Sequence, residues 1–218
     1  MPFIDLHTHN SSAEKDALKV VNLYPETYNL SAAHQYVSIG LHPWHINEDY
    51  KQKLLRLKSF AKDKIIIAIG EAGLDKAVDI DIDLQKEVFI AQAIIAEKVN
   101  KPMIIHAVRS HNEIITLRKR FVNAPPWIIH GFSGNEKMAT ELIRNNFYLS
   151  FGKDLFNEKS HATKVISKIP IANIFLETDA SGLNIVNIYE KAAVLIKTDI
   201  KKLCVQINTN FQSLFAAC

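Results

Sequence analysis

Short apolar runs alternate along the chain with stretches whose apolar residues recur at three- and four-residue spacing. The runs rich in β-forming residues stand at Phe3 to His7, Leu18 to Leu23, Val37 to Leu41, Ile65 to Ile69, Met103 to Ile105, Trp127 to Ile129, Phe147 to Ser150 and Ile174 to Glu177. Between most of them lie segments such as DLQKEVFIAQAIIAEKVN, NEIITLRKRF and EKMATELIRNN, which the helical period marks as amphipathic helices. Strands alternating with helices imply a parallel sheet, and eight such units are the number that closes a barrel. We therefore expect an α/β fold, a single-domain (β/α)8 barrel over residues 1–218. One connection fits poorly: YPETYNLSAAHQ, between the second and third runs, is too short and polar for a crossover helix, so an irregularity is expected there.

Composition narrows the class. The chain has 218 residues, of which 48% are apolar and 22% charged, an ordinary balance for a globular domain large enough to bury its own core. No window approaches the run of about 18 apolar residues that a membrane span needs. The opening MPFIDLHTHN lacks a basic flank followed by an apolar stretch, so neither a secretory signal nor a transit peptide is expected. Two cysteines, Cys204 and Cys218, make no disulfide framework and suit a reducing cytoplasm. The net charge of +3 singles out no partner, and Lys51, Lys53, Arg56, Lys58, Lys62 and Lys64 read as the solvated face of a helix.

The chemistry lies where the apolar runs stop. In FIDLHTH the two-residue period of a strand turns Phe3, Asp5, His7 and His9 to one side, so two imidazoles point the same way. IGLHPW follows the third run with His42, and IAIGEAGLD carries Glu71 and Asp75 at the end of the fourth. MIIHAVR ends the fifth with His106 and Arg109, WIIHGFSG the sixth with His130, and IFLETD the eighth with Glu177 and Asp179. In a parallel barrel these ends share one face, where barrel enzymes place their active sites. Any one of these residues is more readily a hydrogen-bonded structural group or a cap than a ligand, but the chain has only nine histidines. That His7, His9, His106 and His130 fall with Glu71 and Asp179 at equivalent points of the repeat argues for a metal site. Nitrogen and oxygen ligands without thiolates suit zinc, manganese, nickel, iron or magnesium, and six exceed what one tetrahedral ion needs, so two ions sharing a carboxylate are expected.

The succession DLHTH, GLHP, GEAGLD, HAVR, HGFSG and ETD resembles the TatD family of metal-dependent hydrolases, from Phe3 to the C-terminal INTNFQSLF. The resemblance implies a TIM-like barrel of the amidohydrolase type and two divalent ions (Mg, Mn or Zn). It implies that His7 and His9 bind the first with Asp179, while Glu71 bridges to a second held by His106 and His130, and it places His42 in the pocket. Gln85, Phe89 and Gln92 match the helix after GLD and are expected to be structural. Two divalent ions about 3.5 to 4 Å apart can hold and acidify a water between them. Asp179 is then the group expected to orient that water and take its proton, and His42 or Arg109 to contact a phosphate oxygen. His34, His45, His111 and His161 are assigned to surface or structural duty, and Asp5 to supporting the ligands from behind.

Two departures from the family pattern stand out: HAVR places Arg109 one residue later than the usual HxR, and Ala180, Ser181 and Gly182 follow ETD where a proline is common. The expected activity is phosphodiester hydrolysis at DNA ends, a deoxyribonuclease with DNA as substrate and no membrane partner. The rivals are an esterase or amidase, such as a D-aminoacyl-tRNA deacylase, and a metal-binding scaffold without catalysis.

Overall fold

The computed structural model describes residues 1–12, 14–28 and 36–215. Among the described residues eight strands form: β1 (Phe3–Thr8), β2 (Ala17–Leu23), β3 (Tyr36–Ile39), β4 (Ile66–Asp75), β5 (Met103–Val108), β6 (Trp127–Ile129), β7 (Phe147–Phe151) and β8 (Ile174–Leu176). Seven α-helices accompany them: α1 (Tyr50–Phe60), α2 (Ile82–Val99), α3 (His111–Arg118), α4 (Glu136–Arg144), α5 (His161–Val165), α6 (Ile185–Ile196) and α7 (Ile200–Phe215). The strands are hydrogen-bonded in chain order from β1 to β8. The pairs β1–β2, β3–β4, β4–β5 and β7–β8 are parallel. Sequential parallel order with intervening helices is the connectivity of a (β/α)8 barrel. Among the described residues no helix is long and apolar enough to cross a membrane.

The described residues divide into two compact units, one of Met1–Val21 with residues 129–215, the other of Asn22–Ile128. In the first, β1 is held from behind by the last two helices. The Tyr189 hydroxyl on α6 accepts from the Ile4 amide at 3.0 Å and donates to the Ile4 carbonyl at 3.1 Å. On α7, Asn208 donates to the Pro2 carbonyl at 2.9 Å, and Asn210 donates to the carbonyls of Ile171 and Ile174 at 2.9 Å each. These buried amides and phenol take up backbone groups that would otherwise be desolvated without a partner.

In the second unit all ten residues of β4 are buried, and Leu41, Ile46 and Val88 form a core cluster against which Tyr50, Leu54, Ile80 and Leu84 pack. α2 begins where Asp81 accepts from the amides of Asp83 and Leu84, and it ends at Asn100 in the left-handed conformation. Its buried face carries Gln85, Val88, Phe89, Gln92, Ala93 and Ala96. The two glutamines meet backbone: Gln92 pairs with the amide and carbonyl of Leu41 at 2.7 and 3.0 Å, and Gln85 with those of Asp75 at 2.8 and 3.0 Å. The structural role expected of both is what these bonds describe.

Three expectations change. β4 does not stop at Ile69 but runs on through Glu71 to Asp75, so both carboxylates lie within a strand rather than after it. β5 likewise includes His106 and ends at Val108. The segment between β1 and β2 contains no helix among its described residues. In the segment between β2 and β3, Pro25 to Thr27 form a turn, and residues 29–35, including His34, lie outside the described residues. Lys51, Arg56 and Lys58 are exposed on α1, whereas Lys62 and Lys64 lie beyond its end at Phe60. Cys204 is a free, buried thiol, and Cys218 lies outside the described residues.

Candidate metal centre

In the second unit, the two-residue strand period puts Glu71, Gly73 and Asp75 on one face of β4, and the β4–β5 register sets His106 opposite Gly73. A β-carbon at Gly73 would meet the His106 carbonyl oxygen at 1.9 Å, so only glycine permits this approach. The imidazole is consequently flanked by two carboxylates: Nδ1 lies 2.9 Å from Glu71 Oε1 and Nε2 lies 3.0 Å from Asp75 Oδ2. Asp75 Oδ2 also accepts from Trp44 Nε1 at 2.7 Å, and its Oδ1 from the Ala77 amide at 2.8 Å. Burial pushes the Asp75 carboxyl upward, but the hydrogen bonds from Trp44, His106 and Ala77 outweigh it and hold the group below the usual carboxylate range.

An ionised Asp75 calls for a proton on His106 Nε2, and the other ring nitrogen, Nδ1, faces the Glu71 oxygen. A nitrogen and a carboxylate oxygen this close, with a carboxylate behind the ring, are the kind of pair that can hold a divalent ion. His42 differs. Its Nδ1 accepts from the Trp44 amide at 3.1 Å, so Nε2 carries the hydrogen and donates toward Glu71 Oε1, also at 3.1 Å. His42 thus steadies the carboxylate as a donor rather than offering it a second nitrogen ligand. Behind Glu71, Asn22 Oδ1 accepts from its amide at 2.7 Å and from Ser38 Oγ at 3.1 Å.

In the first unit, His7 is fully buried at the end of β1, and the chain after β8 folds against it. The Asp179 amide donates to the His7 carbonyl at 2.9 Å, the His9 amide donates to the Asp179 carbonyl at 3.4 Å, and Thr8 and Asp179 form a parallel bridge. Asp179 adopts φ 50°, a left-handed conformation uncommon for a residue with a β-carbon although aspartate tolerates it better than most. Strain of this kind gathers at functional sites. Its Oδ1 lies 3.5 Å from His9 Nε2 and 3.7 Å from His7 Nε2. These gaps exceed a good hydrogen bond, while ligand atoms of all three residues fall within 4.8 Å of one another, as donors to a shared ion do.

The His130 ring centre stands 4.6 Å from that of His7, and its Nδ1 lies 3.4 Å from Glu177 Oε1, which accepts from the Gly131 amide at 2.6 Å. Asp5 supports from below: Oδ1 accepts from the Thr178 amide at 2.8 Å and Oδ2 from the Thr178 hydroxyl at 2.7 Å. Burial raises the Asp5 carboxyl to about 7 despite these bonds.

The structure thus assembles His7, His9 and Asp179 in one group and His42, Glu71 and His106 in another. Arg109 is exposed, has φ 53°, and joins neither. His45 and His161 are exposed, and His111 is partly buried, with burial lowering its affinity for a proton. Sequence reasoning missed the supporting residues Asn22 and Trp44, and it noted Asp75 and Glu177 without a role. The alternation within GEAGLD was the available signal for Asp75; Asn22 and Trp44 carry no local signal, because their partners are remote in sequence.

Comparison with known proteins follows the same lines. The sequence profile described as TatD related DNase matches residues 10–216. YabD of Bacillus subtilis, described as an uncharacterized metal-dependent hydrolase, is 35% identical over 151 residues, covering 68% of this chain and 59% of its own length. YcfH of Escherichia coli K12, described in the same words, is 27% identical over 194 residues, covering 82% of this chain and 72% of its own length. The chain therefore spans less than two thirds of the length of YabD. Among solved structures, YjjV, a TatD homolog from Escherichia coli K12, matches with a TM-score of 0.87 at 22% identity over 98% of each chain. An uncharacterized amidohydrolase from Saccharomyces cerevisiae matches with a TM-score of 0.72 at 14% identity, over 98% of this chain and 99% of its own. These likenesses show the fold, a TIM-like α/β barrel.

Proposed function

The chain belongs to the TatD-related DNase family, and on that premise we propose that it is a metal-dependent hydrolase of phosphodiesters, a deoxyribonuclease acting at DNA ends. The observation that carries this is His106: with Asp75 behind its Nε2 and its Nδ1 2.9 Å from the Glu71 carboxylate oxygen, the ring sets a nitrogen and an oxygen donor side by side, as ligands of one cation stand. His7, His9 and Asp179, within reach of one shared ion, support it independently. The ligand roles proposed are those of the resemblance: His7, His9 and Asp179 for one divalent ion, and Glu71, His106 and His130 for the other, with Glu71 common to both.

Such ions, when bound, supply an acidified water at neutral pH and neutralise charge on the attacked phosphate. The chain's own groups do the rest. Asp179 orients the attacking water and accepts its proton, at an oxygen that its left-handed backbone holds beside His7 and His9. His42 presents an Nε2 hydrogen that can pass from Glu71 to a phosphate oxygen. Arg109, exposed after β5, contributes charge to an approaching strand.

The test is to incubate metal-loaded protein with end-labelled single- and double-stranded DNA, beside a D-aminoacyl-tRNA and simple carboxylic esters. Metal-dependent shortening of DNA from its ends is expected. Turnover of the acyl substrates with DNA left intact would replace this proposal by the deacylase, and no turnover of anything by the scaffold.

A further inference from the structure

Nothing in the amino-acid pattern alone marks a surface on which a nucleobase could lie, yet the structure puts an indole beside the candidate centre. Trp44 sits in the 3-10 turn Pro43–His45, whose first residue is the proline and whose cap is His42. Its exposure is 58%, against 1% for Trp127, the other tryptophan of the chain. Singly exposed apolar side chains are ordinary on protein surfaces, so exposure leaves the ring accessible and it is the place of the ring beside His42 and His106 that makes it notable.

The ring is also anchored. Its Nε1 hydrogen goes to Asp75 Oδ2 at 2.7 Å, the same oxygen that lies 3.0 Å from His106 Nε2. The ring centre stands 5.1 Å from that of His42 and 6.2 Å from that of His106, with interplanar angles of 89° and 77°. An indole whose polar edge is tied down loses little freedom when a flat partner stacks on it, so the anchoring favours binding. The same bond fixes its distance from the histidine that would hold an ion.

We propose that Trp44 is the stacking platform for a nucleobase next to the scissile phosphodiester. This rests on the hydrolase function above and sharpens it: the substrate is then a strand whose base is unpaired at the point of cleavage, a frayed end or a single strand. Stacking is tolerant of base identity because every base has a π face. A contribution of about 1–3 kcal/mol per base corresponds to roughly 5- to 150-fold in affinity.

The test uses metal-loaded protein and a phosphorothioate tetranucleotide that resists hydrolysis, beside an abasic strand with the same number of phosphates. Tryptophan emission should change on titration with the base-bearing strand and not with the abasic one, and the change should be missing in Trp44→Leu. That variant should bind the base-bearing strand roughly 5- to 150-fold more weakly and the abasic strand nearly as wild type does. Trp44→Phe, which keeps an aromatic face but loses the bond to Asp75, should stay within a few-fold of wild type.

Three results would overturn the platform: saturable binding with silent emission, equal weakening toward both strands, or equal damage from Phe and Leu, which would mean that only the Asp75 anchor matters. Metal-dependent shortening of abasic strands with no emission response to bases would sink the platform and leave the hydrolase standing. Failure to cleave any phosphodiester would sink the hydrolase, whichever way the emission falls.

Discussion

The two ligand groups are built by different means. Around His106 the side chains are fixed by one another: both ring nitrogens lie within 3.0 Å of carboxylate oxygens, and His42, Trp44 and Ala77 complete those carboxylates. Around Asp179 it is the backbone that is fixed, by the bridge to β1 and a left-handed residue, while the carboxylate stands 3.5 and 3.7 Å from its histidines. The first arrangement sets ring orientations in advance. The second sets only where the ligands start from, and leaves room among them for an ion or a water. A group that must exchange protons during turnover gains from such room; one that must hold a cation gains from tight support.

The largest effect expected is from removing the cations altogether. Excess chelator should abolish hydrolysis and added divalent metal should restore it; full activity with negligible metal content would remove the basis for comparing the groups as ligands. Next is Asp179→Asn, which keeps the shape and the backbone bridge but loses the base. Its turnover at saturating metal should fall by roughly 10²- to 10⁴-fold, as for loss of a general base. A folded, metal-loaded variant within a few-fold of wild type would make Asp179 a mere cap.

Smaller effects separate the supporting carboxylates. Asp75→Asn should weaken metal binding by about 10- to 100-fold, because Asn loses the charge and cannot accept both at the oxygen facing Trp44 and His106 and at the one facing the Ala77 amide, as a carboxylate does. Glu177→Gln should lie at the low end of that range, about tenfold or less, since the carboxylate stands 3.4 Å from His130 and a Gln oxygen can still accept from the Gly131 amide. Equal losses, measured by titration with a metal indicator, would erase the distinction between tight and loose support. Smallest is Gln92→Leu, whose cost is in stability: leaving the Leu41 amide and carbonyl without the Gln92 partner should cost about 1–3 kcal/mol by denaturant unfolding with little change in metal affinity.

Strand and helix content was legible because apolar runs and helical spacing report burial directly. The eight runs fell on the eight strands, and α2, α3 and α4 lie within the segments expected to be helical to within a residue or two. The ligands were legible because histidines are few and fall at equivalent points of the repeat. What escaped notice was whatever depends on a neighbour across the sheet. β4 looks finished at Ile69 because Gly70, Glu71 and Gly73 interrupt its apolar run, yet it continues, since β5 lies close enough there to demand glycine. Asp75 and Trp44 meet across 31 residues, and Asn22 reaches Glu71 across 49. Glu177 was visible beside Asp179, but only its 46-residue reach to Gly131 shows that it serves the segment carrying His130.

The paired glutamines of α2 have a consequence for how these strand ends breathe. A primary amide that both donates to and accepts from one residue's main chain imitates a neighbouring peptide, so Gln92 and Gln85 act at Leu41 and Asp75 as rungs of a strand that the sheet does not itself supply. Sheet termini ordinarily exchange their amide hydrogens by fraying at almost no free-energy cost. Here the amides of Leu41 and Asp75 can open only when α2 lifts away, which ties their exchange to a cooperative unit of the second half of the molecule. The residue before His42 and the carboxylate behind His106 thereby share one opening event, set by a helix that carries none of the chemistry.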